Sequence, residues 1–306
     1  MTALSEHLDR YVALRRALGY RPDNDARLLG DFVRYLDASD QSSLTVEAAL
    51  GWAALAPTDK ASAAHLTTVR GFARYLAGFD HNTQVPPAGL IRVSDVRPTP
   101  YIYSPREVAA LMTAAMGLTP ELWAATMATL VGLLAATGIR PGEAYRLRRE
   151  HVDFEDAQLS VVHSKHGKSR RIPLDPSTIE ALDRYARLRD RAFEDQAGKG
   201  FFLTGDGAGL TSHVVAPTFR RLLQLASIEA PYGRRRPRLG DLRHTFAVST
   251  LLAWHERGVD VQRQLPVLSA YLGHNEPRVT YWYLEATPEL MALAARRLQL
   301  SWEQRS

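Results

Sequence analysis

The chain has 306 residues, 45% hydrophobic and 23% charged, which is ordinary for a globular protein and longer than one hydrophobic core usually serves. It has no cysteine, which excludes disulfides and thiolate metal sites and fits a reducing cytoplasm, and no apolar run approaches the roughly 18 residues of a membrane span. The net charge of +5 is uneven: residues 1–85 sum to −1 (9 basic, 10 acidic) and residues 86–306 to +6 (29 basic, 23 acidic), which favours a polyanionic partner.

Residues 1–80 are predicted to form a small all-α domain. Apolar residues recur at helical spacing in four segments, 5–19, 28–36, 45–55 and 62–76. Ser5 is predicted to cap the first helix, and Gly19 to end it. Residues 81–102 follow as a linker, because this stretch contains four prolines and no hydrophobic period.

Residues 103–306 are predicted to form a second, mainly helical domain. Ser104 caps its first helix with Pro105 at the first helical position, and a long apolar helix ends at Gly138. Residues 152–174 predict two or three short strands joined by a polar turn. Further helices are predicted at 176–196, 211–227, 241–257, 262–272 and 288–300. The fold class is therefore mainly α with a small antiparallel sheet.

Arg140 directly follows the apolar helix, in the sequence ATGIRPGE. Held there by packed helix, its guanidinium group can present a rigid fork of donors to an oxyanion. The alternative is a surface arginine paired with Glu143. This motif alone does not decide between them.

The polar turn HSKHGKSR contains Lys165 and Lys168, two of only four lysines in a chain with 34 arginines. Arginine cannot release a proton near neutral pH, whereas the pKa of a lysine can be tuned. The retention of lysine here favours a titratable proton donor over a solvated cluster of charges.

A basic run stands in PYGRRRPRLGDLRHTFAV, residues 231–248, and suits the binding of phosphate backbones. Arg243 and His244 lie in the helix behind this run. The alternative is a solvated loop, with Arg243 in a buried salt bridge.

The segment YLGHNEPRVTYWYL, residues 271–284, places His274 after a helix end and among three tyrosines. The rings of Tyr271, Tyr281 and Tyr283 either fill the core or supply a phenol oxygen for chemistry. The segment by itself leaves both interpretations open.

These four segments, in this order, resemble the tyrosine site-specific recombinases, also called the phage integrase family, over essentially the whole chain. ATGIRPGE resembles the first arginine motif of the family, SKHGKSRRIPL its lysine hairpin, LGDLRHTFAV its second arginine motif and YLGHNEPRVTYWYLEATPEL its final motif. The resemblance implies a helical, SAM-like core-binding domain at residues 1–80, which binds DNA, and an α+β catalytic domain at residues 103–306.

The catalytic residues that the resemblance implies are Arg140, Lys165, Arg243, His274 and Tyr283. The tyrosine would attack a scissile DNA phosphate and form a 3′-phosphotyrosyl link, while the lysine protonates the leaving 5′ oxygen. The two arginines would hold the transition-state charge, and the histidine would donate a hydrogen bond to the phosphate. Tyr283 is selected because it follows His274 by nine residues, the usual separation in the family, whereas Tyr271 is expected to pack. The predicted DNA-binding residues are Lys168, Arg170, Arg234, Arg235, Arg236 and Arg238.

Gly240 departs from the family, which has a histidine three residues before its second arginine. The pKa of tyrosine is about 10, so an assisting base or hydrogen-bond partner matters, and neither Asp241 nor His244 is an evident replacement. The protein is then an active but slower enzyme, an enzyme in which water or another group takes this place, or a DNA-binding relative that no longer cleaves.

The implied reaction exchanges DNA strands without a metal ion, ATP or any other cofactor. A type IB topoisomerase shares this chemistry, although the separate helical domain and the integrase-like motifs fit it less well. The implied partners are double-stranded DNA and further copies of the chain, in a homotetramer on two DNA sites with C-terminal helices exchanged between neighbours, and no membrane. The apolar stripe of residues 288–300 suits such exchange; packing on its own domain is the alternative.

Overall fold

The computed structural model describes residues 3–20, 22–39, 41, 43–93, 99–162, 169–193, 200–232, 235–274 and 280–281. The chain divides into two compact units, Met1–Arg97 and Pro98–Ser306. This division falls inside the segment interpreted as a linker. The role of the first unit as a core-binding domain stays a prediction.

Four helices form the first unit, as the apolar spacing predicts: α1 (Ala3–Ala17), α2 (Asp23–Ala38), α3 (Val46–Ala54) and α4 (Asp59–Leu76). Their buried faces share one core, in which Phe32 and Phe72 are fully buried. The side chains of Thr45 and Thr58 accept backbone hydrogen bonds at the starts of α3 and α4.

Two of the predicted helix starts are wrong. Ser5 does not cap α1, because the helix already begins at Ala3. The fourth helix begins at Asp59, three residues before the predicted Ser62, because Thr58 supplies the cap. The hydroxyl of Ser62 instead donates to the carbonyl oxygen of Ala53 at 2.7 Å, and so ties α4 to the end of α3.

The described residues that follow α4, up to residue 93, form neither helix nor strand. Arg70 of α4 donates hydrogen bonds to the carbonyl oxygens of Pro86 and Pro87, at 2.8 and 2.9 Å. Ile91 packs partly buried against the core of the first unit. The first part of the proline-rich segment therefore lies on this unit.

The second unit, where described, contains a small sheet, seven α-helices and a short 3₁₀ helix (Arg149–His151). The helices are α5 (Pro105–Met116), α6 (Glu121–Thr137), α7 (Pro141–Ala144), α8 (Pro176–Ala192), α9 (Ser212–Leu225), α10 (Asp241–Glu256) and α11 (Val261–Leu272). Ser104 and Glu107 form a capping box at the start of α5, as predicted for Ser104. The predicted helix at 288–300 lies outside the described residues.

The sheet has three antiparallel strands in the order β1 (Val152–Asp153), β2 (Gln158–Val161) and β3 (Arg170–Pro173). Val152 pairs with Leu159, and Leu159 pairs with Ile172. These three side chains are buried, so one face of the sheet packs on the core. The predicted fold class, mainly α with a small antiparallel sheet, is confirmed.

Helix α6 runs through the middle of the second unit. It is apolar on all sides and contacts α5, α8 and α10, so its C-terminus is held rigidly. In the part of the chain that the structure describes, no helix has the length and apolarity needed to cross a bilayer.

Candidate active site

Helix α6 ends at Gly138, which takes the left-handed conformation with φ 62°. A Cβ at this position would lie 2.5 Å from Cδ1 of Phe246 and 3.2 Å from Cδ2 of Leu272. Glycine is therefore required for two reasons: the backbone is left-handed, and the neighbouring side chains leave no room for a Cβ. The chain turns sharply here, so that Ile139 is buried and Arg140 stands at the start of α7.

Helix α11 ends in the same way, at Gly273 with φ 68°, and His274 follows directly. The last carbonyl groups of a helix lack partners within it. Here they accept from arginines: Nη2 of Arg243 lies 2.6 Å from the carbonyl oxygen of Leu272, and Nη2 of Arg140 lies 3.0 Å from that of Gly273. The negative end of the helix dipole stabilises such cations.

Arg243 and Arg140 differ in exposure. Arg243, on α10, is 6% exposed, and its Nη1 donates to the carbonyl oxygen of Gly138 at 2.9 Å. The side chain of Arg140 is 31% exposed. Its backbone N–H and its Nη1 each bond to the carboxylate of Glu143 at 3.0 Å. The pairing with Glu143 is thus present, and it holds a guanidinium group that still reaches solvent.

Glu143 is a buried carboxylate, with a side chain 2% exposed, that also binds Arg170. Nη1 and Nη2 of Arg170 lie 3.2 and 2.8 Å from its two oxygens. Burial raises the pKa of Glu143, but the hydrogen bonds from Arg170 and Arg140 outweigh this effect and hold the pKa below its ordinary value of 4.5.

The guanidinium groups of Arg140 and Arg170 therefore share one carboxylate, and that of Arg243 lies beside them, because Arg243 and Arg140 both reach the carbonyl oxygen of Leu272. Glu143 forms ion pairs with Arg140 and Arg170. Among these four described side chains, three are cationic and one is anionic. Such a site favours an oxyanion, and a phosphodiester matches the forked donors of arginine.

His274 adds a neutral ring to the cluster. Its Nδ1 lies 2.8 Å from the hydroxyl oxygen of Thr280, which is fully buried. Burial, followed by the charges of Arg243 and Arg140, lowers the pKa of His274 from 6.5 to about 3. The ring is therefore uncharged at neutral pH. If the Thr280 hydroxyl donates to Nδ1, the ring proton resides on Nε2, which then acts as a donor.

The structure thus places three of the predicted catalytic residues, Arg140, Arg243 and His274, at one site. Lys165 and Tyr283 lie outside the described residues, and their roles stay predictions. The same holds for two of the predicted DNA-binding residues, Lys168 and Arg234.

The two described tyrosines of the final motif differ in their surroundings. Tyr271 stacks on Phe246 with ring centroids 5.5 Å apart, and burial raises the pKa of its phenol to about 12. The expectation that Tyr271 packs is confirmed. Tyr281 is 44% exposed.

The basic run before α10 is tied down by Asp241. One carboxylate oxygen of Asp241 lies 2.6 Å from Nη2 of Arg235, and the other accepts the backbone N–H of Arg238 at 2.8 Å. Burial raises the pKa of Asp241 despite the charge of Arg235. Arg236 and Arg238 are exposed, so their side chains can reach a ligand in solution.

Gly240 directly precedes α10, with φ −66° and ψ −17°. This conformation is open to any residue. A Cβ built here would meet no described atom within 4 Å. Among the described residues, the space in which a side chain at this position would begin is therefore open.

Sequence reasoning missed two contributors to the site. The sequence alone suggests Glu143 only as the partner of a surface Arg140, although a place three residues after Arg140, the residue that precedes α7, is the position of a capping-box acid. That spacing is a usable signal. Thr280 carries no comparable signal, because a threonine six residues after a histidine has no general meaning.

Comparisons with known proteins agree with this architecture. A sequence model described as the phage integrase family matches residues 103–289. The chain is 37% identical over 314 aligned residues to y4rB of Sinorhizobium fredii, a protein named as an integrase/recombinase, with 100% of both chains covered. It is 30% identical over 251 residues to the tyrosine recombinase XerD of Mycobacterium tuberculosis, covering 78% of this chain and 72% of that one.

A solved structure shares the fold. The integrase of transposon Tn1549, in complex with transposon right end DNA, superposes with a TM-score of 0.65 and 17% identity, covering 98% of this chain and 100% of that one. The family match covers more than half of the chain, and the first relative is aligned along its full length. The chain therefore belongs to the phage integrase family of tyrosine recombinases.

Proposed function

We propose that this protein is a site-specific DNA recombinase that cuts and rejoins strands through a covalent 3′-phosphotyrosyl intermediate. The observation that carries the proposal is the convergence of Arg140, Arg243 and His274 at the adjacent ends of α6 and α11. Their excess positive charge suits a DNA phosphodiester. The Tn1549 integrase, which shares the fold, is described in complex with DNA.

In the proposed reaction, the phenol oxygen of Tyr283 attacks the phosphorus atom, and the bond from phosphorus to the 5′ oxygen breaks. The phenol proton passes to water, since Gly240 has no side chain to accept it. Lys165 gives a proton to the departing 5′ oxygen. The phosphotyrosyl bond conserves the free energy of the phosphodiester, so a 5′ hydroxyl of another strand can reverse the step without ATP.

Arg140 and Arg243 stabilise the charge on the non-bridging oxygens in the transition state. They supply the positive charge that Mg²⁺ supplies in many other phosphoryl-transfer enzymes. Arg243 is held by two carbonyl oxygens, so its guanidinium group is oriented before DNA binds. His274 donates a hydrogen bond to the phosphate from its neutral ring.

Basic residues around this site would hold the flanking DNA backbone. Arg236 and Arg238 are exposed on the loop that Asp241 fixes, and they suit contacts with flanking phosphates. Lys168, Arg234 and Arg235 extend this surface in the proposal. The helical unit at residues 1–80 supplies further DNA contacts.

Gly240 favours a second candidate function, that of a DNA-binding relative that no longer cleaves. Phosphate binding alone would use both arginines and His274. It would not use Tyr283, and the presence of this tyrosine at the family's spacing makes the active enzyme the preferred function.

We further propose that the active form is a homotetramer on two DNA sites, with C-terminal helices exchanged between neighbours. A largely apolar groove of about 1070 Å³ lies between α5, α6, α8 and α10 and includes Met112, Leu133 and Trp254. Residues 288–300 of a neighbouring copy are the proposed occupant. As a helix they would be about 20 Å long and carry Leu290 and Leu298 on one face.

A strand-joining assay separates the candidate functions. Binding sites are selected from random-sequence duplexes, and two labelled duplexes of different length that carry a selected site are incubated with the protein in EDTA. Products of exchanged length support the recombinase. Relaxation of a supercoiled plasmid without exchange indicates a topoisomerase, and binding without either product indicates a relative that no longer cleaves. Tyr283→Phe should bind as the wild type does and form no products.

A further inference from the structure

Arg170 occupies an unusual place for a residue of a basic, DNA-facing segment. It begins β3, soon after the segment of the sequence that contains the two lysines, yet its side chain is only 13% exposed. Its Nε donates to the carbonyl oxygen of Tyr271 at 2.7 Å, and both of its terminal nitrogens bond to the carboxylate of Glu143. All three nitrogens of its guanidinium group are therefore engaged within the protein.

The next residue on the strand provides a contrast. Side chains alternate between the faces of a strand, and Arg171 is exposed where Arg170 is not. A guanidinium group that binds a DNA phosphate needs donors that face solvent. Arg170 does not meet this requirement, because the nitrogens of its guanidinium group are engaged within the protein and face the site described above.

The contacts of Arg170 join three parts of that site. Glu143, which it binds through both oxygens, is the same carboxylate that orients Arg140. Tyr271, whose carbonyl it caps, lies three residues before His274 at the end of α11. Arg170 also packs closely on Gly273, where a Cβ would lie 2.9 Å from its Nη1.

We propose that Arg170 is a positioning residue, which holds Glu143 and the end of α11 so that Arg140 and His274 face one phosphate. This inference rests on the proposed function and replaces the expectation that Arg170 binds the DNA backbone.

The first test is single-turnover cleavage at saturating DNA. Arg170→Gln should lower the rate about 10²-fold, because small misplacements of catalytic groups have effects of this size. Arg170→Lys keeps the charge but lacks the fork, so it should recover only part of the rate and serves as the second variant if Arg170→Gln does not fold. Arg171→Gln, which removes the same charge from the neighbouring exposed position, should stay within about threefold of wild type.

A neutral substrate shows whether Arg170 acts through the phosphate-binding arginine. A methylphosphonate at the scissile position removes the charge that Arg140 would stabilise. On this substrate, the loss of cleavage rate in the Arg170 variants should be smaller by about tenfold or more than on the ordinary phosphate. A general loss of folding would lower the cleavage rates of both substrates equally, and that result would contradict the proposal.

The salt dependence of DNA binding provides a test that does not require DNA cleavage. A phosphate contact removed from the surface should lower the salt slope by about one, as we expect for Arg238→Gln. Arg170→Lys and Arg170→Gln should leave the slope unchanged. A slope lowered by one with cleavage intact would overturn the inference. Failure of the wild type to form any covalent adduct would instead contradict the proposed function. The salt slopes of the Arg170 variants would then still show whether Arg170 contacts a DNA phosphate.

Discussion

Gly240 stands where the rest of the phage integrase family is expected to have a histidine. Its backbone angles, φ −66° and ψ −17°, suit any amino acid, and the space beyond its Cα is open among the described residues. Neither backbone strain nor packing therefore requires glycine here. A side chain can be restored without displacing Arg243, which lies one helical turn further on.

Gly240→His should fold normally and raise the rate of single-turnover cleavage by about 10²-fold, the lower range for one acid–base group. Gly240→Ala is the matched control, since it adds a Cβ without a titratable ring and should cleave at the wild-type rate. Equal rates for the histidine and alanine variants would show that another group already assists the tyrosine.

The resemblance to the family pointed to individual residues but not to their partners. Arg140, Arg243 and His274 lie in separate motifs, and the structure brings them to one place. The pair of Glu143 with Arg170 was not predicted, because 34 arginines compete for any acidic residue and the choice is made by the tertiary fold.

The ends of two helices build the candidate site. Both α6 and α11 finish at a left-handed glycine, and sequence alone predicted these ends at Gly138 and Gly273, because glycine is the residue that adopts this conformation most easily. Helix starts were less predictable. Thr58 and Ser62 are both plausible caps, and the contact of Ser62 with Ala53 that decides between them is tertiary.

Gly138→Ala should lower the free energy of unfolding by about 2 kcal/mol or more, because a left-handed alanine is strained and its Cβ would collide with Phe246. Gly132→Ala is the control within the same helix, because its Cβ would meet only the flexible end of Met112. In a helix interior alanine is more favourable than glycine by about 1 kcal/mol, so this variant should not lose stability. Urea unfolding of both variants compares the two positions. Similar losses at both would refute the proposed role of the left-handed cap.

Two histidines, His244 and His274, are half-buried beside arginines. Burial first, and then the neighbouring positive charges, lowers the pKa of His244 to about 4 and that of His274 to about 3. Their ordinary value is 6.5, so the unfolded chain takes up protons that the folded chain does not. The stability contributed by keeping these rings neutral is complete above about pH 6.5 and is lost progressively as the pH falls.

The free energy of unfolding should therefore decrease as the pH is lowered from 7 to 5, a window above the ordinary range of carboxylates. His274→Asn should reduce the slope of the free energy of unfolding against pH near pH 5. The reduction should correspond to up to one fewer proton taken up on unfolding. Urea unfolding at several pH values measures both slopes. A wild-type stability independent of pH over this window would contradict the depressed pKa values.

Assembly is the remaining property of the whole molecule. If residues 288–300 dock as a helix in the groove of a neighbour, Ala294→Asp on the apolar stripe should abolish cooperative assembly on DNA, as measured by analytical ultracentrifugation. Ala292→Asp places the same change on the opposite face of that helix and should assemble normally. A lower melting temperature of the free Ala294→Asp protein, with assembly intact, would indicate that the helix packs on its own domain.

Covalent trapping tests the central claim, attack of Tyr283 on DNA, most directly. The protein is incubated in EDTA with nicked duplexes from a random-sequence pool, from which the short cleaved strand diffuses away, and nucleotide-linked peptides are mapped by mass spectrometry after proteolysis. We predict an adduct on the peptide that contains Tyr283, retained in Tyr281→Phe and absent in Tyr283→Phe. Tight, salt-sensitive DNA binding without any adduct would contradict the claim and identify the protein as a DNA-binding relative that no longer cleaves.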